Sequence, residues 1–425
     1  MNFRISINDE PNKISCGEII HNENGILIES DFKKAIIRKN SSGTVICLGV
    51  IKSKDKRKSI DKHINKINET SFQSISYELE GRFILLLVNG NSLFVSSDQF
   101  GKLDVYYQKN VNSITLASNF DLLPECPSKN GFNQAAIIHT LTYYGYCPPK
   151  KDTIYNSVER LGVGEYAYIQ NKKLALIRRE FNAQKTQVYN NNEINNYTDT
   201  FLSHLQESAS EEKNLVYLSS GWDSTSILAG LIHLFGKKKV TGIIGKMKFS
   251  KRSGCCNQIE IDKAKKFAQY YGIKLEIVDF DLTVEDKSYF ETLRSKMRKN
   301  QLYAITGLTH DKLAIKASSL SRKNTQIFAG EISDGAHNLG FSQYATIFHP
   351  SYGFREYSDK MASYLFGPTF LSLLMNGQYL NDPIYQLFKS RFTGIIFDEL
   401  RDKPKDINLQ LLTSFFLRNA RSPLW

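Results

Sequence analysis

The chain has 425 residues, 41% of them hydrophobic, and its 55 Lys and Arg against 43 Asp and Glu give a formal charge of +12. That length and apolar content predict two or three globular domains and exclude a disordered chain. No run approaches the roughly 18 apolar residues of a membrane span and the start lacks a signal-peptide core, so no membrane partner is expected and the expected location is the cytoplasm.

In chain order, residues 25–28, Thr44–Leu48, Arg82–Val88, Ser92–Val95 and Ile114–Ala117 read as short strands separated by turn-formers, with Asn89-Gly90-Asn91 as a hairpin signal. A β-rich N-terminal domain is expected. From about residue 195 strands and helices alternate: strand Leu215–Leu218, helix Ser224–Phe235, strand Val240–Gly245, helix Glu260–Tyr271, strand Lys274–Val278, a helical stretch over 287–320 and strand Gln326–Ala329. That alternation predicts an α/β domain on a doubly wound parallel sheet, with ligands beyond the carboxyl ends of its strands. The expected division is 1–190 and 191–425.

The six cysteines, Cys16, Cys47, Cys126, Cys147, Cys255 and Cys256, have neither metal-ligand spacing nor the look of a disulfide framework. Lysine clusters at 52–58, 237–239 and 246–252 account for part of the positive charge. Without a recognition helix or an aromatic stacking module, they read as solvated faces rather than a nucleic-acid surface, and the third lies close enough to the loop described next to meet phosphates.

The most informative stretch runs from Leu218 through Ser219, Ser220, Gly221, Trp222 and Asp223 to Ser224, between a strand and a helix. Small side chains let backbone N–H groups approach an anion, and the helix start adds donors and the positive end of its dipole. Asp223 would repel phosphates unless a divalent cation lies between them, which points to Mg-nucleotide rather than a bare anion. No Gly-Lys-Ser/Thr follows, so this is not a Walker loop. The second stretch, Gly330-Glu331-Ile332-Ser333-Asp334-Gly335, follows the strand ending at Ala329. If both strands run parallel, Asp334 joins Asp223 on Mg²⁺ and Glu331 is left to take a proton.

Together these motifs resemble the asparagine synthetase family, including its β-lactam synthetase and lasso-peptide cyclase relatives. The Ser219–Ser224 order is similar to the pyrophosphate loop of ATP pyrophosphatases, with Ser220 standing at one glycine. Leu79–Phe83, Ser97–Gly101, Val105–Tyr107 and Leu116–Ser118 resemble the family's glutamine-amidotransferase (Ntn-type) sandwich, and Gly145–Pro148, Thr153–Tyr155 and Leu161–Gly164 its interdomain segment. The resemblance implies ATP-dependent, AMP-forming activation of a small-molecule or peptide carboxylate, then attack by a nitrogen donor. By motif position Leu218, Ser219, Ser220, Gly221, Asp223, Ser224, Ile244 and Gly330 would bind ATP, with Mg²⁺ on Asp223 and Asp334 and Glu331 near the acyl group. Glu260 resembles the family's acidic residue after the second strand.

Two departures qualify that expectation. Glutamine-using members expose a cysteine whose free α-amino group serves as base for its own thiol, whereas position 2 is Asn2 and Cys16 is internal. Ammonia or a substrate amine is therefore the expected nucleophile, with a separate glutaminase, a C-terminal partner chain or a homo-oligomer among the expected partners. The family's late lysine is also missing after Arg421–Trp425, and Lys360 is the candidate stand-in. The aromatic segment 341–374 has no family counterpart, and His337 and His349 lack i, i+4 metal spacing. A non-catalytic nucleotide-binding or partner protein and a tRNA-modifying pyrophosphatase remain as alternative readings.

Overall fold

A computed structural model describes residues 2–7, 14–32, 35–53, 59–139, 152–178, 190–219, 221–252, 254–299 and 306–330. These fall into two compact units, dividing between residues 183 and 184.

The first unit contains β1 (Phe3–Ile7), β2 (Glu18–Glu23), β3 (Ile26–Ser30), β4 (Ala35–Asn40), β5 (Gly43–Ser53), α1 (Ile60–Ile64), α2 (Phe72–Tyr77), β6 (Leu79–Asn89), β7 (Ser92–Ser97), β8 (Tyr106–Lys109), β9 (Ile114–Ala117), α3 (Gln134–His139), β10 (Glu159–Arg160), β11 (Glu165–Gln170) and β12 (Lys173–Arg178). They build two six-stranded sheets, ordered β10-β8-β9-β1-β3-β2 and β12-β11-β7-β6-β5-β4. All the pairings in both are antiparallel.

Strand β6 shows why its sequence is an unbroken apolar run. Ile84, Leu86 and Val88 join Phe3, Ile5, Ile28 and Leu116 in the core between the sheets, while Phe83, Leu85 and Leu87 pack under α1 and α2 against Ile64, Phe72 and Ile75. Successive side chains alternate faces, so a strand buried on both sides must be apolar throughout. The β6–β7 hairpin pairs Asn89 with Ser92, leaving Gly90 and Asn91 as a two-residue turn in which Gly90 adopts φ +54°.

The second unit contains α4 (Asn191–Ser208), β13 (Lys213–Tyr217), α5 (Trp222–Phe235), β14 (Val240–Lys248), α6 (Gln258–Tyr271), β15 (Lys274–Asp281), α7 (Lys287–Lys299), α8 (Thr306–Leu320) and β16 (Thr325–Ala329). Its sheet has the order β15-β14-β13-β16, and every neighbouring pair is parallel. On one face α4, α5 and α6 pack through Leu205, Leu228, Leu231, Ile261 and Ala264; on the other, Ala317 and Leu313 of α8 cover Leu215 and Ile243. The expected doubly wound parallel sheet is thus present, and the helical stretch expected over 287–320 contains α7 and α8. Among the described residues no helix is long and apolar enough to cross a membrane.

Candidate functional site

The order β15-β14-β13-β16 steps outward from β13 in one direction and then returns to its other side. β13 and β16, which are far apart in sequence, therefore end side by side, and in doubly wound sheets ligands sit beyond such carboxyl ends. Tyr217 pairs with Ala329, so Leu218 and Gly330 leave the sheet side by side.

Local hydrogen bonds shape the first loop. Leu218 N–H donates to the Ile243 carbonyl at 2.8 Å, anchoring the strand end to β14. The chain then folds on itself: Gly221 N–H donates to Ser219 Oγ at 3.1 Å, Ser219 N–H donates to Ser224 Oγ at 3.0 Å, and the two serine hydroxyls lie 2.9 Å apart. Ser224 is buried and its hydroxyl also reaches the carbonyls of Ser219 and Gly221, so it braces the loop from beneath. Ser219 and Gly221 are exposed and Asp223 is half-buried in the first turn of α5. Leu218 and Ile244 are buried in the core under this edge.

Gly330 fits against that loop with no room to spare. A Cβ built on it would lie 2.7 Å from Ser224 N and 3.0 Å from Asp223 Cβ, so β16 exits onto the peptide joining Asp223 to Ser224. Gly330→Ala is expected to push the two loops apart and to lower stability by about 1–3 kcal/mol, the usual penalty of an extra methyl group in a packed site. A thermal melt and an ATP-binding titration check it; an unchanged midpoint with unchanged affinity would contradict the tight approach.

Of the other residues singled out by sequence, Ser220, Glu331, Asp334 and Lys360 lie outside the described residues, as do His337, His349 and the rest of 341–374. Glu260 sits in the first turn of α6 on the same carboxyl edge. Asn257 immediately precedes the same helix. An Asn ahead of a helix usually caps it, but here the side chain turns back to β14, donating to the Gly245 carbonyl at 2.8 Å and accepting from Met247 N–H at 2.9 Å. In the lysine cluster, Lys246 and Lys248 face their register partners Asp279 and Asp281 across β15, at 3.5 and 2.8 Å. Hydrogen bonds from Lys248 and Thr283 hold the Asp281 carboxyl down at about 2.

In the first unit, Asn2 is fixed at the start of β1. Its side-chain amide donates to Asp31 Oδ2 at 2.8 Å and its Oδ1 accepts from Asn119 at 2.9 Å. Cys16 Sγ donates to the Glu29 carbonyl at 3.3 Å, and burial, reinforced by the Glu29 and Asp31 charges, pushes its thiol up to about 11. Cys47, deeper still, is pushed up to about 12 by burial alone. Since only the thiolate reacts, Cys16 is held in its unreactive form at ordinary pH. Iodoacetamide at that pH is expected to label the exposed Cys126 and Cys256 and to spare Cys16 and Cys47, as peptide mass mapping would show. Fast alkylation of Cys16 would refute this account of its surroundings.

A family model described as a glutamine amidotransferase domain matches residues 64–181, within the antiparallel sandwich, which is accordingly glutamine-amidotransferase-like. No curated protein matches the chain. Among solved structures it is similar to the glutamine-dependent NAD+ synthetase of Acinetobacter baumannii bound to ADP, at 17% identity and a TM-score of 0.25 over 41% of this chain; it spans 31% of that enzyme's length. It is also similar to the NH3-dependent NAD synthetase of Campylobacter jejuni bound to nitrate, at 12% identity and a TM-score of 0.24, covering 52% of this chain and 100% of that one.

Proposed function

We propose that the chain is an ATP-dependent, AMP- and pyrophosphate-forming amide ligase of the asparagine-synthetase type, with its synthetase machinery in residues 191–425. The observation that carries this reading is the approach of Gly330 to the Asp223–Ser224 peptide, which brings the carboxyl end of β16 against the serine loop beside the carboxyl end of β13. A cradle with exposed Ser219 and Gly221, a helix start and one half-buried carboxylate suits a metal-bound polyphosphate, for which dipole and N–H donors are matched to the anion and Asp223 to the cation.

In this mechanism the loop from Ser219 to Gly221 and the α5 N-terminus hold the phosphates, and Leu218, Ile244 and Gly330 form the floor under the nucleotide. Mg²⁺, held by Asp223 and Asp334, would supply charge neutralisation on the departing pyrophosphate. A substrate carboxylate oxygen attacks the α-phosphorus of ATP, forming the acyl–phosphate bond as the bond to pyrophosphate breaks. A nitrogen nucleophile then attacks the acyl carbon, forming the C–N bond as the C–O bond to AMP breaks, and Glu331 accepts the proton released from nitrogen. Lys360 is proposed to offset charge on the adenylate.

The nitrogen in this proposal is ammonia or an amine of the substrate. Cys16 is held as the thiol, and the Asn2 amide is engaged by Asp31 and Asn119. The test is exchange of radiolabelled pyrophosphate into ATP, with Mg²⁺ and a panel of carboxylates. Acid-dependent exchange is the expected result; ATP binding with no exchange for any acid would leave a nucleotide-binding protein without ligase chemistry.

A further inference from the structure

Trp222 is the residue of the serine loop that the proposed chemistry leaves unused. It occupies the first helical position of α5, between the exposed Gly221 and the half-buried Asp223, and it is 89% exposed. The same helix buries Leu228 and Leu231 in its core, so the indole is excluded from that packing. A Trp side chain offers on the order of 150–250 Å² of surface to a partner, which makes it a large unused contact at the mouth of a polar cradle. Trp222 and Asp223 are consecutive residues in the first turn of α5.

Two further apolar side chains stand on the same edge of the sheet. Phe249, one residue past the carboxyl end of β14, is 40% exposed, and Ile259, the second residue of α6, is 74% exposed. β13 and β14 are neighbours, and α5 and α6 lie on one face, so all three residues stand where these two strand-to-helix connections leave the sheet. Lys246 and Lys248 of that rim face Asp279 and Asp281, and the exposed Lys251 and Arg252 follow Phe249 on the same connection.

We propose that the carboxylate activated at this site carries an apolar, preferably aromatic, body that packs on Trp222, with Phe249 and Ile259 extending the apolar rim. This inference rests on the ligase reading above and adds the class of acid. The alternative flat partner for an indole is the adenine of ATP, and the experiment separates the two.

The test uses the full chain with Trp425→Phe, which leaves Trp222 as the single tryptophan of the two in the sequence. Indole fluorescence is followed with Mg²⁺ and a non-hydrolysable ATP analogue while 3-phenylpropionate, hexanoate, L-aspartate or L-glutamate is titrated, and pyrophosphate exchange is measured with the same acids. The expected result is a fluorescence change and exchange at lower concentrations of the apolar acids than of the polar ones. Trp222→Ala is expected to raise the apolar acids' half-saturation about tenfold, equivalent to about 1.4 kcal/mol, and Trp222→Phe to recover most of it. Preference for aspartate or glutamate, or a Trp222→Ala effect confined to ATP half-saturation, would overturn the apolar-acid inference and leave the ligase reading intact. Absence of exchange with every acid, with no fluorescence response to any of them, would overturn the ligase reading and this inference with it.

Discussion

Asp223→Ala is expected to lower acid-dependent pyrophosphate exchange by roughly two to three orders of magnitude, the effect of losing about 3–4 kcal/mol of stabilisation where charge develops. The carboxylate lies in the first turn of α5, among N–H donors suited to an anion, and Gly330 packs against its own Cβ and carbonyl carbon. A carboxylate there would repel phosphate on its own, so its use in the site depends on a shared cation. In wild-type protein, ATP affinity should therefore fall on chelation of Mg²⁺, and in Asp223→Ala that metal dependence should be much reduced. Folding should barely change, since an acidic group in a helix's first turn contributes only about 0.3–1 kcal/mol. A variant retaining exchange within tenfold of wild type would remove Asp223 from the chemistry.

Glu29→Ala should have the largest effect on stability. Arg4 and Glu29 face each other across β1 and β3, their ionic atoms 3.5 Å apart, with side chains 2% and 7% exposed. Arg4 Nε also donates to the Leu122 carbonyl at 3.2 Å. Arg4 alternates with the core residues Phe3, Ile5 and Ile7, so the pair is buried on the face of β1 away from the core between the sheets; removing the carboxylate takes one charge from a buried ion pair, and such one-sided losses typically destabilise by roughly 3–5 kcal/mol. The expected readout is a large drop in the urea midpoint, while Arg4→Met with Glu29→Met should be much milder because neither charge is then stranded. A second readout is independent of stability. The Glu29 charge helps raise the Cys16 thiol and Arg4 opposes it, so Glu29→Ala should lower the pH at which Cys16 becomes alkylated. A midpoint unchanged to within 1 kcal/mol would mean that water reaches the pair.

These two variants also mark what the sequence could and could not reveal. The serine loop was legible because its parts are contiguous: a strand end, four small or turn-forming residues and a helix start lie within one short stretch. β6 was equally plain, since a strand buried on both faces is a run of Leu, Ile, Phe and Val. β1 was not, because Phe3-Arg4-Ile5-Ser6-Ile7 alternates like a one-sided strand although Arg4 and Ser6 are buried. The partner that permits this, Glu29, lies on another strand. α4 escaped notice because Leu205 is its one buried residue, too little to set a period. Asn257 had the right position for a cap, but tertiary contact with β14 overrode the local rule. The acidic stretch after Gly330 was legible as a motif, and the structure supplies its root, the parallel pairing of β16 with β13.

That pairing has a consequence for biogenesis. The serine loop is complete once α5 has formed, but the wall opposite it arrives only when β16, the last described strand, docks beside β13. Such long-range closure is entropically slow relative to local helix formation. The nascent polypeptide thus carries a serine loop without its opposing wall until Gly330 has left the ribosome, and the nucleotide capture proposed for this site would be a property acquired late in synthesis.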